Sequence, residues 1–108
     1  MFLSDFIVVY VTTADRVEAE RIVHVLLEER LIACANIIGS VSSYFHWEGK
    51  IVSAEECLII MKTGAVLFEF LEARVRELHS YEVPEIIAVP IVDGSMYYFG
   101  WMTDVLNP

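Results

Sequence analysis

"VSSYFHWEGKIVSAEECLIIMKT", residues 41–63, is the stretch that decides the fold. Glu48–Gly49 offers a two-residue turn, and the β-rich arms Val41–Trp47 and Lys50–Thr63 read as strands returning along one another. Upstream, "ACANII" (Ala33–Ile38) extends the first arm, with Gly39–Ser40 as a bulge or bend. About twelve residues per arm, at roughly 3.3 Å each, reach about 40 Å. A compact chain of this length has a diameter on the order of 35 Å, so the hairpin tip is expected to overhang the body.

Pairing Trp47 with Lys50 sets Phe45 against Val52 on one side of the ribbon. His46 then faces Ile51, and Tyr44 faces Ser53, on the other. Both faces of the overhang carry apolar or aromatic groups, and an exposed ribbon of that kind aggregates unless it is covered. Self-association is the economical expectation. The same register puts Cys57 opposite Ser40, roughly 20 Å along the strand from Cys34. Bridged Cα atoms lie within about 7 Å, so two free thiols are expected.

Working outward, Phe6–Val11 is a continuous β-branched run that reads as a strand buried on both faces. "TTAD" breaks it, and Asp15 with Glu18 forms a capping pair for a helix. Val17, Ile22, Val23, Leu26 and Leu27 share one side of that helix, and Arg16, Glu20, His24 and Glu28 line the other. Thr63 is the expected N-cap of a second helix with a stripe of Leu67, Phe70, Leu71, Val75 and Leu78. Ile86–Val92 reads as a strand, which Pro90 marks as an edge strand or one bulged at that point. Ser95 caps a short terminal helix whose apolar side is Tyr98, Trp101, Met102 and Val105. The order strand, helix, strand, strand, helix, strand, extra helix is the α+β pattern of a ferredoxin-like βαββαβ sandwich, read as a single domain over residues 1–108. Such a fold hosts enzymes, metal carriers and regulators, so it does not fix the function.

The 56% hydrophobic content is high for a soluble chain of 108 residues, which again points to apolar surface covered by a partner. A net charge of −9 excludes sequence-independent nucleic-acid binding and disfavours anionic membranes, leaving cations as natural partners. "FIVVYV" (Phe6–Val11) is too short to span a bilayer, and Asp5 stands where a signal peptide would carry Lys or Arg. With two thiols expected free, the expectation is a cytoplasmic protein.

No nucleophile elbow, P-loop, dinucleotide fingerprint, C-x-x-C or H-E-x-x-H is present, so neither an enzyme nor an organic cofactor is expected. The polar string is "HSYEVPEI", residues 79–86. His79 closes the second helix, where a protonated imidazole suits the dipole, and Pro84 holds Val83 extended. What structure leaves over is the His79 imidazole with Glu82 and Glu85 within seven residues, donors suited to Cu(II) or another divalent metal; His79 and Glu82 are the candidates, and Cys34 adds a thiol suited to Cu(I).

"RLIACANII" (Arg30–Ile38), "WEGK" (Trp47–Lys50), "KT" (Lys62–Thr63) and "HSYEVPEIIAVPI" (His79–Ile91) together resemble the CutA family of divalent-cation tolerance proteins, in the family's order and over nearly the whole chain. The resemblance implies a ferredoxin-like protomer, a homotrimer built through long hairpins, and a cytoplasmic role in copper and heavy-metal tolerance. It also implies a likeness to PII-type signalling trimers, whose alternative role would be binding a small anionic metabolite at subunit junctions. Ser80 stands where the family usually has proline. Members credited with copper binding carry a cysteine and a His-His pair at positions that here are Val11, Leu78 and His79, so only His79 matches.

Overall fold

The computed structural model describes residues 5–107, ordered as β1 (Phe6–Thr13), α1 (Arg16–Glu28), β2 (Cys34–Trp47), β3 (Lys50–Gly64), α2 (Phe68–Leu78), β4 (Ile86–Pro90) and α3 (Met96–Leu106). The strands form one antiparallel sheet in the order β2-β3-β1-β4. Alternation does the sorting. Val9 and Val11 of β1 and Ile59 and Met61 of β3 point to one face, where they are fully buried against Ile22 and Leu26 of α1 and Leu71 and Val75 of α2. The expected α+β sandwich is therefore the observed one.

The hairpin pairs as the turn dictates, Trp47 with Lys50, Phe45 with Val52, and His46 with Ile51. Glu48 and Gly49 both have positive φ, 50° and 77°, the combination a two-residue turn uses to match the strand twist. Ile38 pairs with Leu58 but Val41 with Glu56, so β2 carries one extra residue at Gly39–Ser40, where Ser40 has φ 59°. The long axis is 44 Å against 26 and 23 Å for the others, the overhang expected from arm length. Tyr44 and Ile51 are 74% and 77% exposed on it. Both cysteines are free.

Several local expectations are corrected. Thr63 does not cap α2. It ends β3 fully buried, its hydroxyl donating to the Leu31 carbonyl at 2.7 Å, and a 3-10 turn over Ala65–Leu67 leads into α2 without a side-chain cap. β1 continues through Thr12 and Thr13, and β4 stops at Pro90, on the sheet edge. On α1 the buried stripe is Ala19, Ile22, Val23 and Leu26, while Val17 is 76% exposed. On α3 the buried residues are Phe99 and Met102; Tyr98 and Trp101 face outward. Phe99 stacks on Phe6 at 4.7 Å between ring centroids, so α3 closes one end of the sheet face that α1 and α2 leave open. Ser95 occupies the N-cap position of α3 without a side-chain cap bond.

Candidate functional site

Between the hairpin and residues 80–85 lies a cleft of about 1000 Å³. One side is the ribbon from Ser43 to Trp47 with Val52, and the other runs from Ser80 to Glu85. Glu56, only 6% exposed, and Thr12 complete the lining. The lining includes three carboxylates (Glu56, Glu82 and Glu85) and the rings of Phe45, Trp47 and Tyr81, with no lysine or arginine; His46 and Tyr44 belong to the same stretch of β2, but alternation turns their side chains to the other face of the ribbon. Of the two lysines of β3, Lys50 pairs with Trp47 at the hairpin end, just outside the lining, and Lys62 is tied to Asn36.

Glu56 lies here because strand alternation carries it onto the face opposite Cys57 and the helix-backed core, next to the bulge. A buried carboxylate needs a donor, and the Tyr81 hydroxyl supplies one at 2.6 Å. Burial first, and then the bond to the charged Glu56, hold the Tyr81 phenol well above its ordinary range, so it stays protonated and donating.

The root of residues 80–85 is fixed by a second network. Glu18 of α1 accepts from Ser80 twice, from its backbone N–H at 2.6 Å and its hydroxyl at 3.0 Å, and from the Ala14 N–H at 3.2 Å. Asp15 meanwhile caps α1 by accepting from the Glu18 N–H at 2.9 Å, as expected. Burial works against the charge on Glu18, but the Ser80 and Ala14 hydrogen bonds lower its pKa below the usual 4.5.

The residues expected from sequence fall in three separate places. His79 is the C-cap of α2 and its side chain is buried. Its Nε2 lies 2.7 Å from the Thr12 carbonyl and its Nδ1 accepts from the Tyr81 N–H at 3.0 Å. That pair of partners defines the neutral tautomer with hydrogen on Nε2, and it occupies both ring nitrogens. Glu82 is exposed on the cleft wall. Cys34 begins β2 beside α3, its sulfur 3.0 Å from the Tyr98 hydroxyl, which this contact and then burial push up to about 12. Among the described residues, no group of three or more His, Cys, Asp or Glu is close enough to hold a metal ion. The structure also brings forward two residues that sequence reasoning did not assign to a site, Glu18 and Glu56. Alternation along β3 was the available signal for Glu56; nothing local foretold that Glu18 would meet Ser80.

The family described as CutA1 divalent ion tolerance protein matches residues 7–105. The Thermus thermophilus divalent-cation tolerance protein CutA is 40% identical over 97 residues, covering 90% of this chain and 94% of that one. The protein CutA of Arabidopsis thaliana, named chloroplastic, is 43% identical over 89% of this chain, which spans 53% of that protein. Among solved structures, one described as the periplasmic divalent cation tolerance protein CutA from Archaeoglobus fulgidus superposes with a TM-score of 0.92 at 38% identity, covering 94% of this chain and 99% of that one. The Thermus and Archaeoglobus names describe divalent-cation tolerance. With the ferredoxin-like sandwich and its overhanging hairpin matched end to end, this chain belongs to the CutA1 divalent ion tolerance family.

Proposed function

We propose that the chain is a homotrimeric, non-enzymatic cytoplasmic protein that binds divalent cations, Cu(II) among them, and so contributes to metal tolerance. The observation that carries the cation reading is the cleft lining, which brings together Glu56, Glu82 and Glu85 with no lysine or arginine. Carboxylate and imidazole are the donors a borderline divalent cation takes, whereas an anionic metabolite would meet like charge there. Glu82 is the sequence-expected ligand that faces this space. His79 joins it only by releasing the Tyr81 N–H from Nδ1, and the Cys34 thiol stands apart beside Tyr98. One chain alone offers too few donors, so neighbouring copies complete the site.

Support for assembly comes from the sheet. On the face away from α1 and α2, register aligns Ile60, Tyr10 and Ile87 across three strands, with Ile38 beside Leu58. Ile38 and Ile87 are about half exposed, and the hairpin continues the same surface beyond the body. A continuous apolar face of this kind asks for a second copy. Two free cysteines fit a reducing compartment. No helix among the described residues is long and apolar enough to cross a membrane.

Calorimetric titration of the intact protein with Cu(II), Zn(II), nucleotides and carboxylic acids tests the reading. Cu(II) or Zn(II) is expected to bind and the anions are not, with weaker Cu(II) binding after Glu82→Gln. Stoichiometric uptake of an anion with none of a cation would instead favour a PII-like regulator.

A further inference from the structure

Residues 80–85 join α2 to β4 and form one wall of the cleft. Core packing does little to hold them, because Glu82, Val83 and Glu85 are exposed and only Tyr81 and Pro84 are half-buried. Their ends, by contrast, are firm. At one end His79 is buried and bonded to Thr12; at the other, Ile86 pairs with Val11 as β4 begins. The His79 ring accepts from the Tyr81 N–H, and beyond that two carboxylates from other elements do the fastening. Glu18 of α1 holds Ser80 by its N–H and its hydroxyl, and Glu56 of β3 holds the Tyr81 hydroxyl. A segment fixed at both ends and fastened between them by side-chain hydrogen bonds opens at the cost of those bonds, without disturbing the core.

We propose that residues 80–85 are a hinged flap on the cleft, latched by Glu18 to Ser80 and by Glu56 to Tyr81, and that its opening admits the cation. The two latches sit on different elements, so opening costs the bonds of both, and removing either one lowers that cost. Opening also frees the Glu56 carboxylate, which in the latched state spends one oxygen on Tyr81. The flap thus exposes the most buried acid of the lining as it lets a cation approach.

The role as a gate rests on the cation reading given above, but the latches can be measured on the loop itself. Amide hydrogen exchange is followed by NMR on the intact protein at fixed pH, comparing Ser80→Ala, Tyr81→Phe and the double variant with the parent. Ser80→Ala removes one bond to Glu18 and keeps the backbone one; Tyr81→Phe removes the bond to Glu56 with little change in shape. Exchange of the Ser80 and Tyr81 amides is expected to quicken about tenfold in each single variant, the size set by one hydrogen bond to a charged group, and further in the double. Val9, Val11 and Ile59 amides are expected to keep their rates. Unchanged Ser80 and Tyr81 rates would overturn the latches. Equal acceleration in the core would overturn the flap, because the loop would then open only with the whole fold. Stopped-flow mixing with Cu(II) adds the gating readout: faster association in the variants supports it and an unchanged rate overturns it. A parent that binds no Cu(II) sinks the cation reading and leaves the exchange comparison to decide the flap.

Discussion

The two faces of the sheet obey the same alternation and meet opposite fates. Val9, Val11, Ile59 and Met61 on one face are fully buried by α1 and α2, a core the chain completes alone. One position along each strand, Tyr10, Ile60 and Ile87 lie on a face that α3 covers only near Phe6, and the hairpin beyond it has no backing within the chain. Both faces carry large apolar side chains; what differs is that the chain itself covers only one of them. The helix-backed face is where folding stability resides, and the open face is the one the proposed assembly would cover.

That contrast is sharpest at Ile59. Ile59→Ala leaves a cavity under both helices and is expected to lower stability by about 2–5 kcal/mol, read by urea unfolding. Next comes Phe45→Asp on the ribbon. It is expected to reduce the mass in sedimentation equilibrium from trimer towards monomer, while the unfolding of the dissociated chain shifts by no more than about 0.5 kcal/mol. An unchanged mass would show that Phe45 lies outside the contact. Asp15→Ala removes the cap of α1 and is expected to cost about 1 kcal/mol.

A fourth effect depends on pH. The Glu18 carboxyl lies below 4.5 in the folded chain, so its contribution is fully present above that value. It is lost as pH falls through the folded pKa. Glu18→Gln should therefore flatten the acid limb of the stability curve, and an identical limb in the two proteins would remove Glu18 from the network. Val17→Ala, on the exposed outer side of α1, is expected to change stability by less than about 0.5 kcal/mol, the smallest effect of the set.

The fold was legible wherever a local pattern had one solution. Trp47–Lys50 pairing followed from the Glu48–Gly49 turn, and the Gly39–Ser40 bulge from two small residues inside a β-rich run. Thr63 misled because a β-branched hydroxyl residue suits both a strand end and a helix cap. Its buried bond to the Leu31 carbonyl, 32 positions back, decided between them. Leu27 and Val17 misled because an apolar side chain on a helix is buried only if a neighbour lies over it. At the site, Glu82 was legible as a polar loop residue. The imidazole of His79 was expected to meet the helix dipole as a cation, but a carbonyl of β1 and an N–H of its own loop take both nitrogens. Contacts of that range leave no trace in spacing.

The extra residue at Gly39–Ser40 has a consequence for how this sequence can change. Beyond it, Val41, Ser43, Phe45 and Trp47 share a face with Glu56, Ala54, Val52 and Lys50. Removing that residue would make the ladder regular, with Val41 still opposite Glu56 and every outer side chain on its present face, at the cost of the local bend and added twist. The bulge is thus slack in the arm: a one-residue loss there spares the cleft, whereas substitutions along the arm alter it one group at a time.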